Sequence, residues 1–132
     1  MAAVSAYAAK ATLDWLLGGA AATEPAAWGV GLSLGVPSSV SGSEITTGSG
    51  YARQTMVMPA AASPAGTVKN TASMSFGPFS GAASITGIQI WDTILTLDSG
   101  NMLMYGVLST ARTVGIGDSL IVASGALTAL MT

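Results

Sequence analysis

Apolar and polar positions change their period once along this chain. Between residues 7 and 17, Ala9, Leu13, Leu16 and Leu17 recur at helical spacing, while Lys10 and Asp14 sit four apart on another side. Gly18-Gly19 closes the run, as glycine past a helix end does. The pattern predicts one short amphipathic helix, about residues 7–18, that needs something to lie on.

Downstream the period is two. Trp28, Val30, Leu32 and Leu34 alternate with Ala27, Gly29, Gly31, Ser33 and Gly35, which predicts a strand over 27–35 with one bulky face and one nearly bare. A bare glycine face lets another backbone or sheet approach closely. Further strands are expected over 51–58, 71–76, 85–91, 102–108, 119–123 and 126–131. The segments 37–43, 46–50 and 59–66 read as loops, and Asp98-Ser99-Gly100 reads as a hairpin turn. Seven or so short strands with turns every 8–12 residues predict a mainly β chain, an antiparallel β-sandwich or jelly roll with one N-terminal helix. The whole of residues 1–132 is expected to form a single such domain, a length that buries a core without metal or disulfide.

Charge changes the picture more than hydropathy does. Four basic and six acidic side chains make up 8% of the chain, against about 25% in an ordinary soluble domain. Ten charges do not coat a domain of this size, so much of its surface is expected to be covered by other protein in the working state. A membrane is not the expected cover: no run of about 18 apolar residues occurs, and the start carries Lys10 and Asp14 where a signal peptide is apolar. Four scattered basic residues give no footprint for nucleic acid.

Chemistry is scarce. The chain has no cysteine and no histidine, which removes thiol nucleophiles, thiolate metal sites and the commonest general base. Asp92, Asp98 and Asp118 fall at or beside predicted turns, where carboxylates satisfy backbone donors; no calcium-type ladder joins them. No catalytic residue, cofactor site or metal site is expected. Five of the seven methionines, Met56, Met58, Met74, Met102 and Met104, lie on predicted strands and read first as core filling. Arg53 stands mid-strand among apolar neighbours. It is either a solvated edge arginine or the partner of Glu44, of its own or a neighbouring copy, with its planar fork fixing the geometry.

Several stretches, taken in order, resemble a family of small tailed-phage virion structural proteins. They are Lys10-Ala-Thr-Leu-Asp-Trp-Leu-Leu-Gly18, the strand from Gly29 to Leu34, and Glu44-Ile45 followed by Gly48-Ser-Gly-Tyr51-Ala-Arg-Gln54. Ile90-Trp91-Asp92 with Ser99-Gly-Asn-Met-Leu-Met-Tyr-Gly106, and the run from Arg112 through Gly117-Asp-Ser-Leu to Thr128, complete the likeness. The resemblance implies a place in the virion, tail-fibre-like or on the particle, and supplies no catalytic residue.

The reading drawn from this is a non-enzymatic capsid decoration (cement) protein. It would be a homotrimer bound to the major capsid protein at capsomer junctions on the capsid exterior, assembled in the host cytoplasm. A tail-fibre-associated or minor tail protein is the alternative. A carbohydrate-binding module, with Trp28, Trp91 and Tyr105 stacking on sugars, is a remote third. The interface is expected to use Leu13, Leu16, Leu17, Trp28, Val30, Glu44, Tyr51 and Arg53.

Overall fold

A computed structural model describes residues 2–45, 50–59, 66–95 and 100–130. In chain order these form β1 (Ala2–Val4), α1 (Ala6–Leu16), β2 (Trp28–Ser33), β3 (Gln54–Met56), β4 (Thr67–Lys69), β5 (Met74–Phe76), β6 (Ala83–Trp91), β7 (Met102–Val114), β8 (Leu120–Val122) and β9 (Thr128–Leu130). The five-stranded sheet runs β1-β7-β6-β2-β3, and two small sheets pair β4 with β9 and β5 with β8. Every one of these pairings is antiparallel. The chain is therefore mainly β with one short helix, as expected, and the arrangement is consistent with a β-sandwich.

The β6–β7 pair is the spine. Its register runs from Ala83↔Val114 to Trp91↔Met102, and it slips between Ile85 and Gly87 and again between Ile90 and Trp91. Ile85 and Ile90 are five apart, which in a regular strand puts them on opposite faces. Both nevertheless belong to the core, because β6 is covered on both faces here: the consecutive residues Gln89 and Ile90 are both buried. Val30 and Leu32 of β2, Met56 of β3, Met74 and Phe76 of β5, Val114 of β7 and Ala129 of β9 complete a core drawn from all three sheets. Met58 and Met104 pack against it and Met102 is buried, so the strand methionines fill interior space as expected.

Three differences from the sequence reading have local causes. Strand β7 continues six residues past 108, through a polar, exposed stretch that shows no alternation; its ladder to Ala83, Ser84 and Ile85 holds it. Strand β3 spans three residues of the predicted 51–58, because ladder pairing with β2 starts only at Gln54↔Val30. Strands β1 and β4, three residues each, are too short to show a period. Residues 46–49, 60–65 and 98–99 of the predicted loops and hairpin turn lie outside the described residues. The two arms of that hairpin, β6 and β7, do pair as neighbours.

The helix starts one residue earlier than predicted, at a capping signal. Ser5 adopts an extended conformation and its Oγ accepts the Ala8 N–H at 3.1 Å while donating to the Met102 carbonyl. Leu17 caps the other end and Gly18 follows at φ +75, the left-handed turn that glycine supplies. Lys10 and Asp14, four apart on the helix, form an ion pair.

Candidate functional site

The strand β2 carries the bare face that the sequence shows, and this chain covers it with its own residues. At Gly29 an added Cβ would run into the carbonyl of Thr93. At Gly31 it would sit 2.8 Å from Glu44 Oε1, 3.0 Å from Tyr51 Oη and 3.1 Å from Trp91 Nε1. The glycines thus make room for a polar cluster and a crossing segment of backbone. The backbone that approaches this bare face belongs to the same chain.

The cluster is closely bonded. Glu44 is brought alongside β2 by an isolated antiparallel bridge to Ser33, with the Ile45 N–H donating to the Leu32 carbonyl at 3.0 Å. Arg53 grips the Glu44 carboxylate through two bonds, Nε to Oε1 at 2.8 Å and Nη2 to Oε2 at 2.7 Å. Its Nη1 donates to the Thr93 carbonyl at 3.2 Å, which fastens the segment that crosses Gly29. The guanidinium carbon lies 4.0 Å from the centroid of the Trp91 ring, a cation–π stack. Trp91 Nε1 in turn donates to Gln89 Oε1 at 2.9 Å, and Gln89, fully buried, donates to the Gly42 carbonyl. Both charges are out of water: the Arg53 side chain is 0% exposed and that of Glu44 6%.

Tyr51 joins the same carboxylate to the core. Its hydroxyl donates to Glu44 Oε1 at 2.6 Å and accepts the Leu32 N–H at 3.0 Å, and its ring stacks on Phe76 at 6.2 Å between centroids. Burial, and then the bond to the Glu44 carboxylate, hold the phenol well above its ordinary titration range. A neutral phenol, a saturated carboxylate and a stacked guanidinium form a structural lock.

The residues of the expected interface set fall in two different environments. Val30 is 0% exposed, and Tyr51 and Arg53 are each 5% exposed; these three, with Glu44, make contacts within the chain. Arg53 is accordingly no solvated edge residue: its carboxylate partner is Glu44 of its own chain. Trp28 is half-buried against the core. Leu13, Leu16 and Leu17 behave differently, at 56%, 64% and 82% exposed. No residue of α1 is buried, and its half-buried positions are Ala8, Ala11, Thr12 and Asp14. The helix therefore lies on its small-residue side and turns its leucine stripe outward.

The turn aspartates do what their positions suggest. Asp92 accepts from the Asn101 N–H at 2.6 Å and from its side-chain amide at 2.8 Å, and Asp118 accepts the Gly115 N–H at 2.7 Å; Asp98 lies outside the described residues. Sequence reasoning missed Asn70, which is 2% exposed. Its amide donates to the carbonyls of Ala72 and Ala123 and its oxygen accepts the Leu127 N–H, tying the turn before β9 to the start of β5. An asparagine beside a predicted loop carries no signal that separates such a clamp from a solvated residue. Among the described residues no group of three or more His, Cys, Asp or Glu is placed to hold a metal ion. No described helix is long and apolar enough to cross a membrane.

Residues 3–129 match a protein-family model described as podophage GP4 fiber I protein gp80. No curated protein matches the sequence.

Proposed function

The chain belongs to this family of phage virion structural proteins, tail-fibre-like in kind, and from that premise we propose that it is a non-enzymatic fibre component of a tailed-phage tail. The family match, which spans nearly the whole chain, is the observation that carries the reading. It favours the tail over the capsid exterior, and nothing in the fold speaks for a cement protein in particular. Among the described residues, Glu44, Arg53 and Tyr51 lock one another, and Asp92 and Asp118 hold turns, which supports a packing role.

Such a protein works by packing, and α1 supplies a surface for it. Leu13, Leu16 and Leu17 form an exposed apolar stripe on a chain with only ten charged side chains. Burying a leucine recovers about 1.5–3 kcal/mol, so a helix that leaves three of them in water gains by meeting other protein. We assign that stripe to contacts with further copies of the chain or with a neighbouring fibre protein. Copy number tests the assignment to the tail. Densitometry of purified virions should find this chain at a small fraction of the major capsid protein. A count comparable with the capsid protein would return it to the shell.

A further inference from the structure

The helix α1 is thinly docked on the sheet. None of its 11 residues is buried, and its half-buried side is Ala8, Ala11, Thr12 and Asp14, which carry little apolar area. The large apolar groups go to water: Tyr7 is 48% and Trp15 59% exposed, like the leucine stripe. Ala8, Ala11, Thr12 and Asp14 also line an open groove of about 630 Å³, so even the sheet-facing side is not sealed. A helix shorter than about 12–15 residues is marginal in water on its own, and packing makes up the difference. Here packing supplies little.

The polar anchors of α1 all sit at one end. The Ser5 N–H donates to the Leu103 carbonyl at 2.9 Å and its hydroxyl to the Met102 carbonyl, and the Ala6 N–H donates to the Ser39 carbonyl at 2.9 Å. Past these, among the described residues, no hydrogen bond or ion pair reaches from residues 7–25 to any residue beyond 25. Lys10 pairs with Asp14, Thr12 donates to the Ala8 carbonyl, and the N–H groups of Leu17, Gly18, Gly19 and Ala20 turn back onto the helix.

We infer that α1 and the connector after it form a hinged flap, fixed at Ser5 and Ala6, that opens as one unit in the free chain while the sheets stay folded. Opening exposes little that is not already in water, which puts it at the low end of the scale of local unfolding. Once lifted, the helix has no packing to sustain it and unwinds. A protein seated on Leu13, Leu16 and Leu17 opposes this, because those side chains form one stripe only while the helix exists. Incorporation into the particle therefore locks the flap. The locking rests on the assignment of the stripe to protein contacts; the opening does not.

Hydrogen–deuterium exchange of the full chain tests both. In the free protein the amides of Lys10 to Leu17, corrected for intrinsic rates, should exchange roughly a hundred-fold or more faster than those of Gly87 to Ile90 in β6, at rates that low urea leaves unchanged. Ala9→Gly, at an exposed helical position, should speed exchange in α1 roughly five-fold and leave β6 as it is. In purified virions α1 should exchange roughly ten-fold or more slower than in the free chain. Protection of α1 equal to that of β6, or exchange of the two that rises together with urea, overturns the flap. Fast exchange of α1 that is the same in the free chain and in virions upholds the opening and overturns the locking.

Discussion

Arg53, Glu44 and Tyr51 show how a charge-poor chain spends two of its ten charges inside. Arg53→Met strands a carboxylate that is nearly out of water, a change that costs about 3–5 kcal/mol and lowers the melting temperature by roughly 10 °C or more. The double variant Arg53→Met with Glu44→Met should lose less than the sum of the single changes, because it removes both charges together. A thermal-melt double-mutant cycle checks this. Equal and additive losses would mean that the pair is not coupled. Tyr51 adds a pH dependence whose sign is set by the direction of its shift. Folded, the phenol stays neutral; unfolded, it ionises above about pH 10. Its contribution is fully present below pH 10 and is lost as pH rises beyond it. Melting temperatures taken above pH 10 should therefore fall less steeply in Tyr51→Phe than in the parent chain. The sequence made the Arg53–Glu44 pair thinkable but could not place Trp91 beneath it or Gln89 behind it. The stack of Arg53 on Trp91 joins residues more than 30 positions apart, and nothing local announces it.

At the scale of elements, β2 and α1 make opposite points. The bare face of β2 was legible as a place of close approach; its neighbour there is the backbone at Thr93 and Ile94, on the segment after β6. Gly29→Ala would push a methyl group into that backbone, an overpacking that costs roughly 3 kcal/mol or more. Gly81→Ala, with open space at its Cβ, should leave the melting temperature within about 2 °C of the parent. If the two substitutions melt alike, the close crossing at Gly29 is wrong. The helix was legible in extent, because its pattern is written within eleven residues. Its orientation was not, since periodicity shows that an apolar stripe exists but not which side the sheet receives. The pair Leu16→Ser and Leu17→Ser accordingly should leave the isolated chain's melting temperature nearly unchanged and should reduce its incorporation into particles, read from the protein content of purified virions. A large loss of stability in the isolated chain would place the stripe inside the fold.

For the molecule as a whole, fold class came from turn spacing and alternation, and it holds. Strand limits did not, because β7 is kept in the sheet by pairing partners in place of its own pattern, and three-residue strands have no period to detect. Some of the segments that resemble virion proteins meet at one place: Glu44, Tyr51, Arg53 and Trp91 form a single bonded cluster. That cluster holds the chain together from within, and the contact surface we propose lies elsewhere, on the outward leucine stripe of α1. Where the protein sits in the particle is the claim on which the rest depends. Gold labelling of a tag fused to this chain, imaged on intact virions, reads it directly. The account predicts label at the tail fibres and bare shells; label spread evenly over the capsid would contradict it.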